Sequence, residues 1–98
     1  MALFVLICHD APQTAEARQQ HRPAHLERLA ALDAAGQLRL AGPTPVAHGV
    51  SEVTGSVIVA DFADEAAAQD WVAQEPFLLH GVYSHVDIKP FVQVFPKA

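Results

Sequence analysis

Six histidines in 98 residues give this chain more groups that trade protons near neutral pH than its length demands. The stretch HRPAHLERL, residues 21 to 29, holds two of them, four apart, around Pro23. On a regular helical turn that spacing would put His21 and His25 on one face, where two imidazoles could meet a metal ion. The rest of the chain does not complete such a set. His9, His48, His80 and His85 are isolated, Cys8 stands alone, and neither HExxH nor CxxC occurs. No metal site is expected from spacing.

A histidine backed by a carboxylate is the other chemistry these residues permit, because the acid fixes the tautomer and favours the cationic form. Asp10, closing the first apolar run, and Glu75, in EPF, both sit where elements end and side chains are presented. The plainer readings are a turn residue and a helix-end charge. Cys8 cannot work with His9, since neighbours in a strand point to opposite faces, so a buried structural thiol is expected. Ser56 has no base beside it in sequence and reads as a small strand residue able to hydrogen bond a ligand. Arg18 and Arg22, four apart, read as a solvated face or, more sharply, as an anion clamp. No glycine-rich phosphate cradle is present, and no cofactor is expected.

These groups need a scaffold. MALFVLICHD reads as a buried central strand. A helix starts near Thr14, and Pro23 should break it, restarting the helix with proline at its first position and His25 in the first turn. Leu26, Leu29 and Leu32 with Ala30 and Ala34 make an apolar stripe that Gly36 closes. QLRLAGP is a strand that stops at Gly42-Pro43, TPVAHGVSEVT a loop, GSVIVADF a strand, and ADEAAAQDWVAQ a helix capped by Asp64. After the interruption at Pro76, VYSHVDIKPFVQVF alternates Val82, Ser84, Val86 and Ile88 with a polar face of Tyr83, His85, Asp87 and Lys89. Strand, helix, strand, strand, helix, strand is the βαββαβ order of an α+β, ferredoxin-like layout with one antiparallel sheet.

Length allows one domain, residues 1–98, with one core. An apolar content of 51% against 17% charged residues leaves more apolar surface than a lone copy needs, and an open sheet face invites a second copy, so a homodimer is expected. Among the aromatic residues, Trp71, Phe77, Tyr83, Phe91 and Phe95 read as core or dimer contacts. The net charge of −5 with scattered basic residues argues against nucleic acid. The apolar opening is far too short to span a bilayer, and a single cysteine gives no sign of an oxidising compartment. A cytoplasmic protein without membrane contact is expected.

RPAHLERL, GQLRLAGPTP, TGSVIVADF, EPF, GVYSHVDIKPF and the closing VQVF occur in one order from Met1 to Phe95. With them the chain resembles the YCII-related, YciI-like family. The resemblance implies a ferredoxin-like fold that pairs into a dimeric α/β barrel, with a site built around a histidine and an acid. The family histidine of RPAHL is His25, and the acid before proline corresponds to Glu75, where the family commonly has aspartate. Asp10, Arg22 and Ser56 are the other positions it places around the pocket. Some members are linked with dehydrochlorination of aromatic compounds. Two functions follow as expectations: a cofactor-free enzyme performing acid/base chemistry of a lyase, isomerase or hydrolase kind on a small organic molecule, or a dimeric module that binds such a molecule unchanged.

Overall fold

The computed structural model describes residues 1–97. Its elements run β1 (Ala2–Asp10), α1 (Ala15–Ala34), β2 (Leu38–Pro45), β3 (Val53–Phe62), α2 (Glu65–Ala73), α3 (Pro76–Leu79) and β4 (Tyr83–Pro90). The strands form one antiparallel sheet in the order β2-β3-β1-β4. This is the ferredoxin-like α+β arrangement, with the short α3 inserted before β4.

Alternation along β1 and β3 sends one side chain set toward the helices. Leu6 lies opposite Ile58 and Phe4 opposite Ala60, and Leu32, Ala68, Val72 and Phe77 cover them from the helical layer. Leu6 and Ile58 are 0% and 1% exposed, and burial of each contributes about 1.5–3 kcal/mol. The central place of β1 accounts for its unbroken apolar run.

Pro23 does not restart the helix. α1 continues through it from Ala15 to Ala34, so His25 sits in the helix interior, well beyond the reach of the terminal dipole. The reason is positional: Pro23 and Gln19, whose carbonyl loses its donor, both face outward, and water can serve that oxygen. The inward stripe also differs from the leucine reading. His25 and Leu32 are its buried members, whereas Leu26 is 45% exposed.

Gly36, at φ +74°, ends α1 as expected. Its N–H donates to the Asp33 carbonyl and the N–H of Gln37 to that of Leu32, the paired bonds of a Schellman closure. Asp64 caps α2 by accepting from the Ala67 N–H at 2.8 Å. β2 runs on to Pro45 rather than stopping at Gly42-Pro43, because an edge strand tolerates proline on its unpaired side.

One irregularity matters for the site. The β1–β4 register shifts between His9 and Asp10, so that His9 faces His85 but Asp10 faces Tyr83. The extra residue reverses the alternation there. Tyr83, expected on the polar face, is instead buried against the helices at 2% exposure.

Candidate functional site

Glu75 ends the connection from α2 to α3 and caps α3 in extended backbone, with Pro76 opening that helix. Its Oε1 accepts the Phe77 N–H at 3.3 Å. The same oxygen accepts from His25 Nδ1 of α1, and Oε2 accepts from Arg28 Nη1 at 3.2 Å. A carboxylate only accepts, so the bonded His25 nitrogen carries the proton and Nε2 is left for exchange. Both residues are buried, His25 at 6% and Glu75 at 1% exposure.

Aromatic rings hold the imidazole in plane. Phe77 stacks on His25 with centroids 4.1 Å apart and planes 12° off parallel, while Tyr83 meets it edge-on at 6.3 Å. Arg28 in turn lies over Trp71 at 4.2 Å, so the cation behind Glu75 is itself backed by a ring.

Tyr83 donates its hydroxyl to Ser56 Oγ at 2.9 Å. Burial pushes the Tyr83 hydroxyl well above its ordinary range, and the neighbouring Cys8 thiol, desolvated in the same way, up to about 12. Both groups therefore stay neutral at physiological pH. Cys8 is the buried thiol that strand alternation predicts.

Two openings adjoin this cluster. A cavity of about 210 Å³ is lined by His25, Ser56, Arg22 and Leu26 among others. A wider groove of about 920 Å³ runs past Asp10, Thr14, Arg18 and Arg22 to Thr54. Arg18, Arg22 and Pro43 border both.

The structure thus brings His25 and Glu75 into direct contact and sets Ser56 and Arg22 on the cavity beside them. Asp10 does not reach the imidazole. It is held by Arg18 through contacts of 2.8, 3.1 and 3.3 Å on the wall of the wider groove. Two residues of the cluster carry no functional expectation from the sequence: Arg28, and Tyr83, which reads there only as a polar-face residue of its strand and as a core or dimer contact. Arg28 had a signal, three positions after His25 in one helix; Tyr83 had none, because the bulge that turns it inward leaves no mark in the alternation. Phe91 and Phe95 are 40% and 74% exposed, so they do not join the core of this chain.

Comparison with known proteins agrees with this architecture. Protein YciI of Escherichia coli is 41% identical over 97 residues, covering 95% of this chain and 99% of the relative. An uncharacterized protein of Haemophilus influenzae is 43% identical over 96 residues, covering 94% and 98%. Among solved structures, the fold matches 5-chloro-2-hydroxyhydroquinone dehydrochlorinase from Burkholderia phenoliruptrix, solved with 2,5-dihydroxybenzoquinone. The TM-score is 0.83 at 23% identity, over 93% of this chain and 94% of that one. The model of the YCII-related domain matches residues 2–92, and the chain belongs to that family.

Proposed function

We propose that this chain is a small cofactor-free enzyme, one YCII-related domain whose His25 is the general acid/base and whose Glu75 orients it. The observation that carries the reading is the buried Glu75 carboxylate on His25 Nδ1, with the imidazole on the wall of a cavity that also holds Arg22 and Ser56. A ring pinned on one nitrogen offers the other in a fixed direction, which is what proton transfer at a substrate atom requires.

A lyase step fits this equipment. His25 Nε2 takes a proton from the substrate, the electrons of that bond form a new double bond, and the leaving group departs with its own bonding pair. Arg22, Ser56 and, across the groove, Asp10 and Arg18 bind the polar substituents. The dehydrochlorinase that shares this fold supports a substrate of the hydroxylated, halogenated aromatic kind.

The sheet face turned away from the helices carries Leu3, Val5, Ile7, Val57 and Leu40, the last 56% exposed. A second copy covers it, giving the dimeric α/β barrel. No described helix is long and apolar enough to cross a membrane, and Cys8 is a buried free thiol, in keeping with a cytoplasmic enzyme.

The test is a panel of chlorinated hydroquinones and related phenols, followed by chloride release and product analysis. Turnover that falls about 100-fold or more in His25→Ala and Glu75→Gln, with the fold retained, supports the reading. Ligands recovered unchanged across the panel, or full turnover in His25→Ala, would overturn it in favour of a binding module. Light scattering at micromolar concentration checks the dimer.

A further inference from the structure

On the face of the sheet opposite the helices, the β1–β4 ladder sets His9 directly across from His85. Asp87 follows two positions along β4, on the same face. His9, distant in sequence, joins His85 and Asp87 in a group whose ligand-bearing atoms, one from each, all lie within 4.8 Å of one another. His9 Nε2 and Asp87 Oδ2 are 2.9 Å apart, and the two imidazoles stack at 4.3 Å. None of the three takes part in the His25 site, which occupies the helical side.

We propose that His9, His85 and Asp87 form a binding site for one divalent cation of the zinc class. Ser84 prepares the site. Its hydroxyl donates to the His9 carbonyl at 3.2 Å, so toward His85 Nδ1, 2.8 Å away, it acts as acceptor. Nδ1 of His85 then carries the proton, and Nε2 presents its lone pair, the tautomer a metal needs, fixed by an outer hydrogen bond. On His9 the cation replaces the proton shared between Nε2 and Asp87.

Two imidazoles and one carboxylate suit zinc, copper or nickel rather than magnesium or calcium, with water in the remaining position. Metal–ligand bonds of about 2.0–2.2 Å put tetrahedral ligand atoms about 3.3 Å apart. The rings therefore swing out of their stack on binding. In the single chain the His9 and Asp87 side chains, 42% and 49% exposed, have room for that turn, although they share the face that the proposed second copy covers, and the paired strands keep the backbone in place. The net charge of −5 favours a cation's approach. Bound metal would clip the edge strand β4 to β1.

Calorimetric titration of the metal-free full chain with zinc chloride, in whatever assembly it forms, tests the site. The expected result is one zinc per chain, with affinity at least tenfold weaker in His9→Gln and in Asp87→Asn. His21→Gln serves as the control, because His21 and His80 form the other stacked imidazole pair, at 3.8 Å; it should stay within twofold of the parent. Absence of zinc binding by the parent, equal binding in the His9 and Asp87 variants, or loss in His21→Gln would overturn the proposal.

Discussion

Glu75 engages His25 and Arg28 through separate oxygens, Oε1 and Oε2, and so fastens the middle of α1 to the start of α3 at one buried point. Removing the carboxylate leaves the buried His25 and the partly exposed Arg28 without their acceptor. Glu75→Ala is expected to destabilise the chain by about 3–5 kcal/mol, in the range for a broken buried pair. Glu75→Asp, one methylene shorter, reaches one partner but not both and should cost about 1–3 kcal/mol. Urea unfolding of the two variants measures the difference, and equal stability of parent and Glu75→Asp would show that Arg28 contributes nothing to holding the acid.

The Tyr83–Ser56 hydrogen bond makes a second prediction. Ser56 is 4% and Tyr83 2% exposed, so Tyr83→Phe strands the serine hydroxyl and Ser56→Ala the phenol, each costing about 1–3 kcal/mol. Removing both together abolishes the unmet donor and acceptor at once. The double variant should therefore be more stable than the sum of the single losses by about 1 kcal/mol. Strict additivity in denaturant unfolding would mean that the two hydroxyls are served by water instead.

How much of this site could be read from residues alone depends on which physical signal placed each one. Strand periods and the caps at Asp64 and Gly36 are local, and they give the sheet and the helix ends. Glu75 and His25 are nameable, but that they touch depends on α3 packing against α1 in the helical layer, a contact 50 positions apart in the chain. Pro23 reads as a helix break, yet α1 runs through it, because proline's cost depends on whether water reaches the orphaned carbonyl, which is a tertiary fact. Tyr83 reads as a core contact by its aromatic ring, and it is one, but the strand period puts it on the polar face for a similar reason: a bulge changes the period by one residue, and nothing in YSHVDIKP marks where it falls. His85 and Asp87 share a face by their spacing of two, but strand register is what brings His9 to them.

Alkaline pH should weaken the fold. In the unfolded chain the Cys8 thiol ionises at its ordinary 9.0, whereas burial holds it neutral in the folded chain up to about 12. Between those values the unfolded state binds fewer protons, so stability is fully present below pH 9 and falls as pH rises toward 12. Tyr83, also raised by burial from its ordinary 10.0, acts in the same direction. Urea midpoints measured from pH 8 to 11 should fall steadily in the parent and less steeply in Cys8→Ala. An unchanged slope in that variant would remove the thiol from the account.

Gly55 sets how closely β3 approaches β1 beside the site. A Cβ there would stand 1.9 Å from the Cys8 carbonyl oxygen and 3.0 Å from its carbonyl carbon, both backbone atoms. No side-chain motion relieves that contact, so Gly55→Ala must push the strands apart, and a loss above about 4 kcal/mol is expected. Gly42, in the edge strand, meets nothing within 4 Å, and Gly42→Ala should change stability by no more than about 0.5 kcal/mol. Because Ser56 follows Gly55, the same displacement carries the serine hydroxyl away from Tyr83. Adding Tyr83→Phe to Gly55→Ala should then cost less than Tyr83→Phe costs in the parent, and an equal cost in both backgrounds would show that the strands accommodate the methyl without moving the site.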